Sequence, residues 1–265
     1  MLLKDKIIIF SGIGPGLGVK LAIEAARAGA AGVVLAARST DKLEQAEQQI
    51  LALNTGCRTL KVATDITNAE QCAALALSTV QAFGRIDALI NSAYEPGGMT
   101  KSIQDADLSD WSPVMDTNLM GTITITKAIV PQMKLQKSGA IVMINSLVTR
   151  KPLMGQAVYA VSKGALGVAS KYLALELGKF GIRVNTVSMG WMWGTPVERY
   201  MNYVAETQKV SVADQKAAVV ANIPLGHMPT DDDCAKAALF MASDYAAAVT
   251  GAWLDVNGGE LPSCF

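Results

Sequence analysis

Tyr159 and Lys163, four residues apart in Tyr159-Ala160-Val161-Ser162-Lys163 and with Ser146 thirteen residues upstream, form a set that could move a proton beside a hydride carrier. A free phenol has a pKa of roughly 10 and is a poor acid or base at neutral pH, whereas general acid/base groups work best with a pKa near the working pH. The run from Ala157 to Phe180 predicts a helix, and residues i and i+4 share a helix face. The Lys163 ammonium would then stand near the phenol oxygen and favour its ionised form. Ser146 would supply a hydroxyl to hold a substrate oxygen. Taken alone, Tyr-x-x-x-Lys is also the spacing of an ordinary exposed helical pair, so the elements around it must decide.

Near the N-terminus the apolar run Ile7-Ile8-Ile9-Phe10 predicts a buried strand. It feeds directly into Ser11-Gly12-Ile13-Gly14-Pro15-Gly16-Leu17-Gly18 and then a helical stretch to about Arg27. Glycines let the backbone bend without side chains in the way, and the following helix start offers free N–H groups and a positive dipole end, which suits a pyrophosphate. Gly12, Gly14, Gly16 and Leu17 are the candidate cofactor contacts. The spacing is Gly-x-x-x-Gly-x-Gly rather than G-x-G-x-x-G, and it lacks the Gly-Lys-Ser/Thr of a nucleoside triphosphate loop. By itself such a loop can be no more than a turn.

Further short apolar runs alternate with longer helical patterns: 33–35, 60–63, 88–90, 141–144, 184–187 and 253–256. Continuous apolar runs mark strands covered on both faces, and the connections between them are long enough for crossover helices. The expected architecture is α/β: one Rossmann-like, doubly wound parallel sheet with helices on both faces and ligands at the carboxyl ends of its strands. Gly12, Arg38, Asp65, Asn91, Ser146 and Gly190 all fall at such ends. No linker or repeat divides the chain, so residues 1–265 are expected to form a single dinucleotide-binding catalytic domain with a substrate lid around 190–228.

Bulk properties narrow the partners. Lys plus Arg and Asp plus Glu number 23 each, so no positive excess argues for nucleic acid or an anionic membrane. Cys57, Cys72, Cys234 and Cys264 are scattered, and with His227 the single histidine no metal site is expected. The first residues show no cleavable signal, and no apolar run reaches the roughly 18 residues of a membrane span. A cytoplasmic protein with a small-molecule partner is the expectation.

The ordered set Gly12/Gly16/Gly18, Asn118, Ser146, Tyr159 and Lys163 resembles the motifs of the short-chain dehydrogenase/reductase family. So do Asp65-Ile66, Asn91-Ser92-Ala93, Asn118-Leu119-Met120-Gly121, Val184-Asn185-Thr186-Val187 and the stretch from Gly251 to Gly259, so that the resemblance covers nearly the whole chain. It implies that Tyr159 is the general acid/base and that Lys163 lowers the phenol pKa and binds the nicotinamide ribose. It also implies that Ser146 orients and polarises the substrate oxygen, and that Asn118 holds a water in a relay from Lys163 to solvent. Asp65 would accept from the adenine amino group with Ile66 beside the ring, Asn91 would lie against the cofactor, and Met192 and Thr195 would meet the nicotinamide carboxamide.

Cofactor choice turns on the end of the second strand, Val33-Val34-Leu35-Ala36-Ala37-Arg38-Ser39. An acid there would accept from the ribose hydroxyls of NAD and repel the extra phosphate of NADP. Ala37 stands where NAD-preferring relatives carry Asp, and Arg38 and Ser39 follow it. A guanidinium suits a phosphate by charge and geometry, so NADP(H) is expected over NAD(H), although Arg38 could instead stack on adenine or face solvent.

Some positions depart from the family pattern. Tyr94 stands where glycine usually ends the Asn-x-Ala-Gly run and would bring a ring into the pocket. Met189 replaces the proline before Gly190, Thr195 lies one residue late, and Asn145 replaces a serine in a way expected to alter turn hydrogen bonds. The lid is rich in large apolar groups, among them Trp191, Met192, Trp193, Tyr200, Met201, Tyr203 and Met228. With Tyr94, Met99, Leu147, Leu153 and Met154 they point to an apolar alcohol or ketone, cyclic or aromatic. The same lid residues could instead pack the lid onto the body or another subunit. Few cations, mainly Arg199 and Lys209, argue against a phosphorylated or carrier-bound substrate.

The expected activity is an alcohol dehydrogenase/carbonyl reductase. The alternative is a dinucleotide-binding sensor without turnover, for which the Tyr159/Lys163/Ser146 set has no obvious use. Enoyl reductases of the family separate Tyr and Lys by six residues rather than three. The small residues of the stretches 111–133 and 157–177 suit a homo-oligomer, dimer or tetramer.

Overall fold

The computed structural model describes residues 1–97 and 102–261. Met99 and Cys264, both named above, lie outside them. Seven strands, β1 (Ile7–Ser11), β2 (Gly32–Ala37), β3 (Arg58–Ala63), β4 (Ala88–Asn91), β5 (Gly139–Ser146), β6 (Ile182–Met189) and β7 (Trp253–Val256), form one sheet in the order β3-β2-β1-β4-β5-β6-β7. Every neighbouring pair is parallel, with Ile8 beside both Val33 and Ala88 at the centre. The strand order reverses between β1 and β4, which opens a crevice at the carboxyl ends where ligands of such sheets bind.

The helices are α1 (Leu17–Arg27), α2 (Thr40–Leu51), α3 (Ala69–Phe83), α4 (Ser112–Met115), α5 (Thr122–Gln136), α6 (Ala157–Leu177), α7 (Thr195–Gln208), α8 (Val212–Val220) and α9 (Asp231–Ala242). They cover both faces. One core layer joins alternate strand residues such as Ile8, Phe10, Val33 and Leu35 to Leu21, Leu43 and Leu239. The other joins Ile7, Ile9, Val34 and Leu89 to Leu75, Ile125, Ile129 and Leu166. Strands buried on both sides must be apolar at consecutive positions, which is why they stand out in the sequence as unbroken runs.

Two local features bear on the cleft. Between α4 and α5, Asp116–Gly121 winds as a π-helical turn, which breaks the regular i to i−4 ladder and carries Asn118. The segment after β6 has a small core of its own, in which Met201, Ile223 and Met228 pack with Trp191, Trp193 and Val197. No described helix is long and apolar enough to cross a membrane.

Candidate active site

The carboxyl ends of the strands bring most of the predicted residues to one cleft. On one side a cavity of about 380 Å³ is lined by Gly12, Gly14, Arg38, Ser39, Asp65 and Ile66. Beside it a cavity of about 240 Å³ is lined by Gly16, Leu17, Ser146, Tyr159, Lys163 and Met192. The two share Gly12, Gly14, Pro15, Ser92 and Tyr94.

The glycine loop is built by close approach. Gly12 has φ +87°, and a Cβ there would stand 2.3 Å from the Ala93 nitrogen; one at Gly18 would stand 2.0 Å from the Gly12 carbonyl oxygen. A Cβ at Gly14 would meet nothing within 4 Å, so this part of the loop is open. Gly16 precedes α1 without a side-chain cap, and no acid stands in the first turn. The open backbone and the uncapped helix start fit the pyrophosphate of a dinucleotide. Arg38, Ser39, Asp65 and Ile66 would hold its adenosine end, and Tyr159 and Lys163 its nicotinamide end.

Asp65 accepts at Oδ1 from the Thr67 N–H at 2.9 Å and from its hydroxyl at 2.7 Å. Those bonds hold its carboxyl below the usual range, and Arg38 nearby adds to the effect. Asn68 caps α3 and leaves Asp65 at the cleft edge. Asn91 is turned inward: its Nδ2 donates to Thr126 Oγ1 at 3.2 Å and its Oδ1 accepts from Ser11 at 3.3 Å, while Ser92 and Tyr94 face the cleft.

At the catalytic end Lys163 is buried, and its Nζ donates to the Ile144 carbonyl at 2.9 Å. Its nitrogen lies 5.8 Å from the centroid of the Tyr159 ring. Burial pushes its pKa down from 10.5 to about 8. The Tyr159 phenol is pushed up, chiefly by burial and then by Tyr94, against a lowering hydrogen bond with Ser146. The expected downward pull of Lys163 therefore does not prevail in this structure, because the ammonium is engaged by Ile144 and desolvation of the phenol outweighs the rest.

Asn145 joins the two halves of the set. Its Oδ1 accepts from the Ser146 N–H at 2.7 Å and its Nδ2 donates to the Lys163 carbonyl at 2.9 Å, tying the end of β5 to α6. Asn118 is fully buried; its Nδ2 donates to Glu95 O at 3.0 Å and Ser162 Oγ at 2.9 Å, and its Oδ1 accepts from Glu95 N at 2.7 Å. Both amide hydrogens are thus committed, so the side chain braces the Glu95 backbone against α6.

The segment after β6, expected to act as a lid, places its aromatic residues in a way the sequence did not show. Trp191, Trp193, Met201 and Met228 pack into the lid's own core, with Lys216 Nζ 3.6 Å above the Trp193 ring. Gly190, Met192, Pro196 and Val197 are the residues of this segment that line the catalytic cavity, and Thr195, which opens α7, is not part of that lining. A sequence cannot show which face of a lid its aromatics occupy, and the small lid core claims them first.

Several cleft residues escaped the sequence reading, Lys42, Thr117 and Asp231 among them. Lys42, in the first turn of α2, and Thr117, in the π-helical turn, line the Arg38 cavity. Asp231, 6% exposed, lines the catalytic cavity; a Cβ at Gly194 would stand 2.0 Å from its Oδ2. Burial pushes its carboxyl up from 3.8 to about 6. Lys42 could have been suspected from its position three residues after Ser39, whereas Asp231 has the sequence signature of an ordinary acidic first turn. Among the described residues no cluster of His, Cys, Asp or Glu could hold a metal ion.

A family model described as enoyl-(acyl carrier protein) reductase matches residues 12–260. An oxidoreductase of Methylorubrum extorquens is 32% identical over 97% of this chain and 98% of its own. A 3-oxoacyl-(acyl-carrier-protein) reductase of Staphylococcus epidermidis is 30% identical over 96% of this chain and 98% of its own. Among solved structures, the L-sorbose reductase of Gluconobacter frateurii, complexed with NADPH and L-sorbose, superposes with a TM-score of 0.91 at 27% identity. That match covers 100% of this chain and 99% of the other.

Proposed function

Since the chain belongs to the short-chain dehydrogenase/reductase family, we propose that it is an NADP(H)-dependent oxidoreductase that interconverts a secondary alcohol and an apolar, cyclic or aromatic ketone. The observation that carries this reading is the meeting of Ser146, Tyr159 and Lys163 in the wall of the same cavity as Gly16 and Leu17. A bound nicotinamide supplies or accepts the hydride.

The protein manages the proton. During reduction the Ser146 hydroxyl donates to the carbonyl oxygen and Tyr159 delivers its proton to that oxygen as the alkoxide develops. During oxidation the Tyr159 phenolate takes the alcohol proton. Lys163, a cation below about pH 8, would donate to the nicotinamide ribose and, with substrate and cofactor in place, would offset the phenolate charge. Asn118 supports the set through Ser162, its neighbour on α6.

NADP(H) is favoured over NAD(H) by Arg38 and Ser39 in the adenosine cavity, where no acid replaces Ala37. NADPH in the L-sorbose reductase supports the same choice. An apolar substrate is supported by Tyr94, Met192 and Val197 around the catalytic cavity. A 3-oxoacyl thioester is the competing substrate, given the relative of that name, but few cations line the lid to meet a carrier. The three residues between Tyr159 and Lys163 disfavour enoyl reduction. A sensor without turnover would have no need of Ser146, Tyr159 and Lys163 together in the wall of one cavity.

We read the protein as a cytoplasmic homo-oligomer, dimer or tetramer. Val161, Val168, Tyr172 and Leu175 form an exposed stripe along α6, and the buried thiols of Cys57, Cys72 and Cys234 are free.

The test is a fluorescence titration with NADPH and NADH, followed by oxidation of the bound NADPH with cyclohexanone, acetophenone and an acetoacetyl thioester. Tighter NADPH binding and turnover of the ketones are expected. Preference for NADH, or turnover of the thioester alone, would overturn the cofactor or the substrate assignment.

A further inference from the structure

Tyr94 borders both cavities. It lines the one that contains Arg38, Ser39 and Asp65 and the one that contains Ser146, Tyr159 and Lys163. Its ring meets the Tyr159 ring in a T, with centroids 6.2 Å apart and planes at 62°, within the range of favourable edge contacts. It is 48% exposed, so it is not a core aromatic that happens to end near the cleft.

Its backbone is held firmly. The next residue, Glu95, is clasped at both N–H and carbonyl by the buried Asn118. Gly97, at φ +72°, turns the chain where a Cβ would press on Val114 and Val158. With the backbone fixed on both counts, ring rotation is the low-cost freedom left to Tyr94. The charges of Glu95 and Asp231 disfavour a Tyr94 phenolate, while Ser146, Lys163 and Tyr94 share a cavity wall with Tyr159.

We infer that Tyr94 is a positioning residue whose ring partitions the dinucleotide cleft, shields the Tyr159 phenol from water and closes over a dinucleotide where the two cavities meet. The inference rests on the dinucleotide reading above. A dinucleotide held in both the Arg38 and the Tyr159 cavities would have to pass Tyr94, which lines each of them. The ring therefore gates entry and release. The Tyr94 phenol disfavours a second phenolate beside it through its own charge, and its ring stands against the Tyr159 ring, so removing the whole side chain must ease Tyr159 ionisation.

Tyr94→Gly and Tyr94→Phe test this in the full chain, each also combined with Tyr159→Phe, with melting curves to show that the variants fold. Phenolate absorbance is followed from pH about 8 to about 11, around the ordinary phenol value. The difference between Tyr94→Gly and its double variant should show a phenolate step in that range which wild type minus Tyr159→Phe lacks. Stopped-flow release of NADPH and of NADH should both quicken by about tenfold in Tyr94→Gly, because the ring borders the passage that either dinucleotide would take. Tyr94→Phe should match wild type in release, and its phenolate step, taken against its own double variant, should fall short of that of Tyr94→Gly, because it loses only the charge of the second phenol and keeps the ring.

Wild-type behaviour of Tyr94→Gly on both measures would overturn the proposal. So would Tyr94→Phe behaving as Tyr94→Gly, since the hydroxyl and not the ring would then be responsible. A wild-type chain that bound neither dinucleotide would overturn the cofactor reading and the gating with it, while the phenolate step would still decide the shielding.

Discussion

Lys163 Nζ donates to the Ile144 carbonyl at 2.9 Å while standing 5.8 Å from the centroid of the Tyr159 ring. The ammonium is thereby anchored to β5 rather than left to swing with α6. Asn145 reinforces the tie by bridging the Ser146 N–H to the Lys163 carbonyl. Strand and helix thus place hydroxyl, phenol and ammonium as a unit, and that unit can be tested from each of its parts.

Tyr159→Phe removes the proton donor and little else, since the ring and its contact with Tyr94 are kept. Turnover is expected to fall by about 10²- to 10⁴-fold, the usual contribution of a positioned acid or base, with NADPH affinity within a few-fold of wild type. Steady-state rates and a fluorescence titration on the same sample check this, and loss of binding in parallel with turnover would refute it.

Lys163 makes a prediction about stability and pH. Burial lowers its folded pKa from 10.5 to about 8. Between those two values the unfolded chain carries the proton and the folded chain does not, so the contribution of this group to stability rises with pH across the window. Below pH 8 the ammonium is buried in charged form and its cost is fully present. The melting temperature of Lys163→Met should therefore exceed wild type most at pH 7 and least near pH 10. A constant offset would show that the ammonium is not desolvated.

Arg38→Ala should weaken NADPH by about 10- to 100-fold and leave NADH nearly unchanged, as expected for loss of a charged partner to one phosphate. Lys42→Ala should give a smaller loss of the same selectivity, because it lines the same cavity from the first turn of α2. Equal losses for both dinucleotides would place these cations elsewhere than at the 2′ position.

The sheet was legible because strands such as Ile7–Ser11 and Gly32–Ala37 are covered on both faces and so must be apolar throughout. The cleft was legible where chemistry demands a residue type, as at Gly12 and Tyr159. Contacts were not. Nothing in the spacing shows that Asn118 spends its amide on Glu95 and Ser162, since that depends on the π-helical turn beneath it. The lid aromatics were visible as a composition but not as a direction, and Trp193 turns to Lys216 and the lid core.

Asp231 was the least legible residue and leads to the sharpest electrostatic prediction. Burial pushes its carboxyl up to about 6; Lys20 opposes this, while Asp232 and Glu198 add to it. A folded pKa above the unfolded value of 3.8 means that the group's stabilising contribution is complete below about pH 4 and is lost as pH rises through about 6. Above that, a carboxylate is held in a cavity wall shared with Gly16 and Leu17, where it would repel a pyrophosphate. Asp231→Asn keeps the shape and removes the charge, so it should melt higher than wild type at pH 8 and no higher at pH 4. It should also bind NADPH more tightly than wild type at pH 8 but not at pH 5. If Asp231→Asn instead melted lower at pH 8, the carboxylate would have a favourable partner in the folded chain, and both expectations would fail together.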